Sequence, residues 1–147
     1  MFYFSYGSNM SARRLIKRNI KVLGSRSATL RGYRMILNKK SYKNPNIGYS
    51  NIVEDKDSVV EGVLYDIDYN DMKKLDTHEG YPKHYRREFL KFESIDEPVL
   101  VYIANPEWTS EKELKTTKEY KNFLLEGKEF FSKEYFDYIC DSIKVID

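Results

Sequence analysis

Cysteine, histidine, proline and glycine are scarce in this sequence, and each scarcity excludes a class of protein. A single cysteine, Cys140, excludes an intramolecular disulfide and a multi-thiolate zinc site. The two histidines, His78 and His84, are too few for a metal cluster unless carboxylates supply the other ligands. With 4 Pro and 7 Gly in 147 residues, the chain is neither collagen-like nor of low complexity. We therefore expect no metal site.

Long hydrophobic runs are missing as well. No apolar segment approaches the roughly 18 residues that a membrane-spanning helix needs. The apolar opening at residues 1–4 is too short for the hydrophobic region of a secretory signal. The mean hydropathy is −0.67, yet 13 Tyr and 8 Phe supply ample area for a core. The sequence thus predicts one cytoplasmic domain over residues 1–147, with no membrane partner.

Acidic residues are absent from the first third of the chain. Residues 1–53 contain eleven Lys or Arg and no Asp or Glu, whereas the remainder has 14 basic and 23 acidic residues. Such asymmetry can attract an anionic ligand or RNA, with Tyr33, Tyr42 and Tyr49 as stacking residues. It can equally mean that two parts of one fold neutralise each other. The basic residues are spread over several elements and no RNA-binding motif occurs, so no nucleic-acid partner is expected.

The periodicity of apolar residues predicts strands early in the chain and helices late. Strands are predicted at residues 1–5, 29–37, 47–53, 59–67, 85–92 and 98–104, with a polar loop at 54–58 and a turn at 96–97. Helices are predicted at residues 11–18, 69–78, 116–127 and 132–143, with Gly80 ending the second and Ser132 capping the last. This pattern predicts an α+β fold around a largely antiparallel sheet or small barrel.

The first candidate site is the loop between the first strand and the first helix. It reads Tyr6, Gly7, Ser8, Asn9 and Met10. Glycine allows a ligand to approach the backbone closely, and successive N–H groups before a helix can bind an anion. Such a loop suits a substrate carboxylate or the oxyanion of a tetrahedral intermediate. Taken alone, the same residues also fit a simple turn with a helix cap.

The second candidate is the end of the predicted central helix, where Glu79 precedes Gly80. A carboxylate near free helix carbonyls is disfavoured, and if it is also partly buried among aromatic residues its pKa can rise toward neutrality. Such a group is suited to general acid-base catalysis. Asp76 lies on the same helical face and could raise the pKa of Glu79 further, or could instead pair with Arg86. The alternative is that Glu79 is an ordinary solvated carboxylate at a helix end.

Together, the two segments resemble the γ-glutamylcyclotransferase-like family. The matching motifs are YGSNM at residues 6–10 and LDxxEGYPxxYRR at residues 75–87. Further matches follow in order at residues 47–53 (IGYSNIV), 60–65 (VEGVLY), 101–104 (VYIA) and in the last two helices, so the resemblance covers essentially the whole chain. One departure is Met10, where leucine is common in the family.

The resemblance implies a small mixed β-barrel flanked by helices, a cytoplasmic setting and no cofactor. It implies that the loop from Tyr6 to Met10 binds the γ-glutamyl group of a small-molecule substrate. It further implies that Glu79 is the general acid and base. The family's aromatic pocket positions fall on Tyr85, Tyr102 and Tyr120. A homodimer is compatible with the resemblance, although no sequence pattern indicates one.

The activity implied is that of a cofactor-independent γ-glutamylcyclotransferase, an acyltransferase or lyase that needs no covalent intermediate. The substrate's own α-amino group would attack its γ-carbonyl and release 5-oxoproline with a free amine or amino acid. The identity of that amine stays open, as does transfer to another amine instead of cyclisation. A non-catalytic module that binds γ-glutamyl groups or small amines is the main alternative, and an RNA-binding domain is the lesser one.

Overall fold

A computed structural model describes residues 1–146 as one sheet with helices packed around it. The strands are β1 (Phe2–Ser5), β2 (Val22–Lys40), β3 (Gly48–Ile67), β4 (Tyr85–Phe92) and β5 (Ile95–Ala104). The α-helices are α1 (Ala12–Lys17), α2 (Met72–Glu79), α3 (Lys118–Leu125) and α4 (Lys133–Ser142). In this part of the chain no helix is both long enough and apolar enough to cross a membrane.

The order of strands across the sheet is β2-β3-β1-β5-β4. The short β1 lies antiparallel to β3 and parallel to β5, and all other pairs are antiparallel. The predicted α+β class, with a largely antiparallel sheet flanked by helices, is therefore confirmed. The sheet is open, because β2 and β4 are its two edges, and the predicted closure into a barrel is wrong.

A long hairpin of β2 and β3 replaces three shorter predicted strands. The strand predicted at residues 29–37 extends over Val22–Lys40, and those at 47–53 and 59–67 merge into Gly48–Ile67. The predicted loop at 54–58 is an irregularity within β3, since Tyr33 pairs with Glu54 while Arg31 pairs with Val59. The prediction missed the outer part of β2 because its side chains are exposed on both faces and show little apolar alternation.

The second hairpin joins β4 and β5 by a tighter turn than predicted. Phe92 pairs with Ile95, so the turn falls at residues 93–94 rather than 96–97. Asp96 and Glu97 belong to β5, where both are exposed. The acidic pair indicated a turn by its polarity, but polar residues are equally suited to the solvent-facing end of a strand.

The core lies where the central strands meet one apolar face of each helix. Each helix contributes a side chain with no exposed surface, namely Leu15 from α1, Leu75 from α2, Leu124 from α3 and Ile139 from α4. Local chemistry fixes where three of these helices begin or end. The side chains of Thr117 and Ser132 accept hydrogen bonds from the backbone at the starts of α3 and α4. Gly80 ends α2 in the left-handed conformation, with φ of 64°.

Candidate functional site

Both sequence motifs meet at a cavity beside the end of β1. We call it the inner cavity; its volume is about 40 Å³, enough for a few atoms of a ligand. The loop residues Gly7, Ser8 and Asn9 line one side, and Glu79 at the end of α2 lines another. The remaining wall is made mainly of tyrosines, Tyr3, Tyr6, Tyr85, Tyr102 and Tyr120, together with Ser50 of β3.

Glu79 is the acidic side chain of the inner cavity. Part of the residue reaches the surface, but its carboxyl group lies deep enough that burial raises its pKa to about 7. Arg18, Arg14 and Lys39 oppose this rise without cancelling it. Within residues 1–146 the carboxylate has no basic group within ion-pair distance. A carboxyl group with a pKa near neutrality can both accept and return a proton.

Burial, one of the causes expected from the sequence, is the main cause of the raised pKa of Glu79. Repulsion by Asp76, which was expected to add to it, is not among the causes. Asp76 instead forms an ion pair with Arg87 and accepts a hydrogen bond of 2.6 Å from the Tyr102 hydroxyl. The predicted pairing of Asp76 with Arg86 is wrong. Arg86 instead pairs with Glu88 at 3.0 Å.

Asn9 connects Glu79 to the rest of the site. Its amide nitrogen donates to the Tyr3 hydroxyl at 3.0 Å and to Glu79 Oε1 at 3.5 Å. Its amide oxygen accepts a hydrogen bond of 2.8 Å from Arg18 Nη1. Because both ends of the amide are engaged, Asn9 is fixed in orientation and keeps a donor directed at the Glu79 carboxylate.

The backbone of the loop presents unused donors to the inner cavity. Within residues 1–146 the N–H groups of Gly7, Ser8 and Asn9 donate to no protein acceptor. Gly7 has a φ of −119°, so it is required for space and not for backbone conformation. A Cβ atom there would lie 3.2 Å from Ser50 Cβ and 3.4 Å from the Tyr120 hydroxyl. The glycine thus keeps the cavity open between the loop and β3.

Two tyrosines of the wall are held by the backbone of one strand residue. The Tyr85 hydroxyl donates to the Ser50 carbonyl at 2.8 Å, and the Ser50 N–H donates to the Tyr120 hydroxyl at 3.0 Å. Burial raises the pKa of both tyrosines, so their hydroxyls stay protonated at neutral pH. The Ser50 hydroxyl itself is buried without a partner in the described part of the chain. It is therefore available to a ligand.

A second, wider pocket opens outward from the inner cavity. We call it the outer pocket; its volume is about 220 Å³. The two share Ser8, Glu79, Tyr85 and Tyr120 as walls. The outer pocket adds seven residues: Arg14, Arg18, Tyr49, His78, Thr117, Glu119 and Phe123. Glu79 thus stands at the junction between a small, tyrosine-lined space and a larger, basic one.

Most of the residues singled out in the sequence come together here. Of the nine predicted site residues, Tyr6, Gly7, Ser8, Asn9, Glu79, Tyr85, Tyr102 and Tyr120 line the inner cavity. Met10 does not, because its side chain is 2% exposed and packs in the core near Gly127. Its buried side chain therefore fixes this end of the loop to the core.

The sequence analysis missed several residues that the fold adds to the two pockets. Tyr3 and Ser50 line the inner cavity, and Arg14 and Arg18 line the outer one. Ser50 interrupts an apolar strand segment and is buried, which is the pattern that could have marked it. The two arginines gave no such indication, because an arginine on a short helix is usually solvated.

The three tyrosines considered as RNA-stacking residues have different neighbours. The Tyr49 and Tyr120 ring centres are 4.9 Å apart in the outer pocket, with the rings tilted by 43°. Tyr42 lies beside Trp108 and His84, and Tyr33 lines a different pocket that also includes Arg86.

Comparison with known proteins identifies the family to which the chain belongs and the structures that share its fold. The family model for gamma-glutamyl cyclotransferase, AIG2-like proteins matches residues 3–123. No curated protein sequence matches the chain significantly. Sixteen chains of solved structures match it, and three of the most similar illustrate the likeness.

The first of these structures is YkqA from Bacillus subtilis, with a TM-score of 0.83 and 24% identity over 99% of this chain. This chain spans only 56% of the YkqA chain. The Homo sapiens protein LOC79017 has a TM-score of 0.79 and 22% identity, covering 99% of this chain and 89% of its own. A protein named gamma-glutamyl cyclotransferase has a TM-score of 0.79 and 21% identity, covering 100% and 89%. At these identities the structural likeness establishes the fold.

Proposed function

Because the chain belongs to the gamma-glutamyl cyclotransferase, AIG2-like family, we propose that it cyclises a γ-glutamyl substrate and releases 5-oxoproline. One observation carries the proposal. The Glu79 carboxyl group lies at the inner cavity with its pKa raised to about 7, beside the unused N–H groups of the loop. A proton-transfer group and an oxyanion site are the two things that this reaction needs.

The reaction begins with a proton transfer to Glu79. The substrate's α-ammonium group gives a proton to the carboxylate, and the resulting amine attacks the γ-carbonyl carbon of the same molecule. The new C–N bond closes a five-membered ring, and negative charge develops on the carbonyl oxygen. Holding the substrate folded for this attack replaces a bimolecular search, an advantage worth an effective molarity on the order of 10⁵ M or more.

The loop and Glu79 then complete the reaction. The N–H groups of Gly7, Ser8 and Asn9 are positioned to stabilise either the substrate α-carboxylate or the developing oxyanion. Protonated Glu79 returns its proton to the departing nitrogen as the original amide C–N bond breaks. The ring nitrogen then gives up its second proton, which passes by way of the Glu79 carboxylate to the released amine. The products are 5-oxoproline and an amine that leaves as its ammonium ion, and Glu79 is again a carboxylate. No metal or covalent enzyme intermediate enters these steps.

The test is 5-oxoproline release from a panel of γ-glutamyl amino acids and γ-glutamyl amines. Glu79→Gln keeps the shape of the side chain but cannot exchange the proton, so we expect turnover to fall by roughly 10²–10⁴. Glu97→Gln is the matched control, because Glu97 is exposed and lines neither the inner cavity nor the outer pocket. We expect it to retain most of the activity.

Four outcomes distinguish the possible functions. Release that depends on Glu79 supports the cyclotransferase. Near-normal turnover in the Glu79→Gln variant would show that another group moves the proton. Absence of release from every substrate, with a folded protein, would point instead to a module that binds γ-glutamyl groups. Products that carry a new amine in place of 5-oxoproline would indicate transfer rather than cyclisation.

A further inference from the structure

We propose that the outer pocket binds an anionic group on the leaving amine through Arg14 and Arg18, which selects γ-glutamyl amino acids over γ-glutamyl amines. The proposal rests on the reaction proposed above and names the class of its leaving group. The proposal follows from three points. The two arginines line the outer pocket, they have no acidic partner among the described residues, and the leaving group of the substrate must enter that pocket.

The position of Glu79 assigns the outer pocket to the leaving group. Glu79 lines both spaces and must reach the departing nitrogen, so that nitrogen lies at their junction. The reacting γ-carbonyl end of the glutamyl part lies at the inner cavity, whose loop has unused N–H donors. Whatever is attached to the departing nitrogen therefore projects into the outer pocket, where it meets Arg14 and Arg18.

The two arginines are without acidic partners. Within residues 1–146 neither Arg14 nor Arg18 has a carboxylate oxygen within ion-pair distance. Glu119 is the other acidic residue of this pocket and pairs with neither of them. By contrast, the neighbouring Arg13 forms a two-pronged ion pair with Glu126, with contacts of 3.0 and 2.8 Å.

Arg14 is held in place with a donor unused. Its guanidinium carbon lies 4.4 Å from the centre of the Phe123 ring, which fixes the plane of the group. Its Nε atom is buried and donates to no acceptor within the described residues. A buried charged donor without an acceptor is costly unless a ligand supplies one. A planar guanidinium that is already positioned is suited to a carboxylate.

Arg18 links the outer pocket to the proton-transfer group. One of its nitrogens donates to Asn9, whose amide in turn donates to Glu79. A single amide therefore separates the guanidinium from the Glu79 carboxylate. In an α-amino acid only one carbon separates the amino nitrogen from the carboxylate. A leaving amino acid with its nitrogen at Glu79 would therefore direct its carboxylate toward the arginines that line the same pocket.

The experiment compares two substrates that differ by one carboxylate, γ-glutamyl-L-alanine and γ-glutamyl-ethylamine. We expect wild-type protein to favour the alanine substrate in kcat/KM by about 10-fold to 100-fold, the range for a charge-assisted hydrogen bond. Arg14→Gln also raises the pKa of Glu79, which slows both substrates alike near neutral pH. It should remove most of the preference by a further loss on the alanine substrate alone. Arg14→Lys should keep part of it, since the charge remains.

Arg13→Gln is the matched control. Arg13 contacts the same Phe123 ring, at 4.7 Å, but does not line the outer pocket. Its loss should leave the preference between the two substrates unchanged. γ-Glutamyl-putrescine gives a third arm, because its protonated amine would meet the two guanidinium groups. We expect it to be the poorest substrate of the three.

Equal kcat/KM for the alanine and ethylamine substrates would overturn the proposal while leaving the cyclotransferase intact. An equal loss on both substrates in Arg14→Gln would also overturn it, because Arg14 would then serve the glutamyl part or the fold. If neither substrate is cleaved, the proposed reaction fails, and calorimetric binding of the same two compounds decides about the pocket. Stronger binding of the alanine compound would support the anionic site, and equal or absent binding would refute it.

Discussion

The two carboxylates near the end of α2 lie three residues apart and have opposite environments. Asp76 faces β4 and β5, where Arg87 and Tyr102 hydrogen-bond to it. Burial alone would raise the pKa of Asp76, but these hydrogen bonds and the charge of Arg87 leave it lowered. Glu79 faces the inner cavity, where it has only the weak contact from Asn9, and burial raises its pKa to about 7.

The difference shows that the end of α2 carries two carboxylates with different properties. Asp76 makes structural contacts, and Glu79 has a raised pKa. Asp76 is a permanent anion that joins α2 to the sheet and fixes the Tyr102 side chain, which is itself a wall of the inner cavity. Among the described residues Glu79 has no ion-pair partner, and the more distant Arg18, Arg14 and Lys39 do not cancel the effect of burial. It can therefore change its protonation near neutral pH. Burial raises the pKa of both carboxyl groups, and the net shift depends on whether hydrogen-bond donors and a cation are in contact with the carboxylate.

The largest expected effect comes from replacing Asp76, the carboxylate that is paired with Arg87. Asp76→Asn leaves the Arg87 guanidinium without its counter-charge in a partly buried place, so we expect the free energy of unfolding to fall by about 3 kcal/mol. Denaturant unfolding at pH 7 measures it. Glu88→Gln is the control, because it breaks the Arg86–Glu88 pair, in which both side chains are 41% exposed. That change should cost less than about 1 kcal/mol. Similar losses in both variants would contradict the distinction.

Replacing Glu79 is expected to change the free energy of unfolding in the opposite direction. The pKa of Glu79 in the folded protein, about 7, lies above its ordinary value of 4.5. The folded state therefore binds more protons between these values, and the contribution of Glu79 to stability falls as the pH rises from about 4.5 to about 7. Glu79→Gln should raise the free energy of unfolding by about 2 kcal/mol at pH 8, relative to wild type.

The same variant should give no gain at about pH 3, which lies below both pKa values, so that Glu79 is protonated in the folded and the unfolded state. Unfolding curves of wild type and Glu79→Gln at the two pH values provide the comparison. A Glu79→Gln variant that is less stable than wild type at pH 8 would mean that the carboxylate is compensated by contacts other than those described here.

The smallest expected effect concerns Lys39, a basic residue that acts on the pKa of Glu79. Proton transfer to Glu79 requires the carboxylate, so kcat/KM should rise with pH through about 7. Lys39 lowers the pKa of Glu79. Lys39→Met should therefore move the rising limb to higher pH, by less than about one unit.

Lys40→Met is the control for this pH shift, since Lys40 is the next residue along β2 and does not influence Glu79. Its pH profile should match that of wild type. A shift of the Lys39→Met profile to lower pH, or none at all, would show that Lys39 does not act on the proton-transfer group.

Local chemistry predicted the elements of the fold better than their joining. The helix ends at Gly80 and Ser132 were recognisable because a left-handed residue and an N-cap depend on neighbours in sequence. The merging of two predicted strands into β3 was not, because it depends on pairing with β2. The polar segment at 54–58 resembles a loop in sequence, but the partner strand continues past it.

The site divides in a similar way. The loop and Glu79 were found from two short motifs, whereas Ser50 joins Tyr85 and Tyr120 from 35 residues before one and 70 before the other. The choice of Arg87 over Arg86 depends on strand register. Arg87 is paired with Tyr102 across β4 and β5, so both side chains point to the face that carries Asp76. Neither pairing can be deduced without knowing which strands are neighbours.

The hydrogen bond from the Ser50 backbone to Tyr120 has a consequence for the order in which the chain is synthesised. Strand β1, the loop and Glu79 all precede α3, yet α3 supplies the last wall of the inner cavity. A nascent chain that ends before α3 would carry the whole proton-transfer machinery without an enclosed place to use it. The protein therefore becomes competent only when its C-terminal third has been made and docked, and premature products of translation would be inactive.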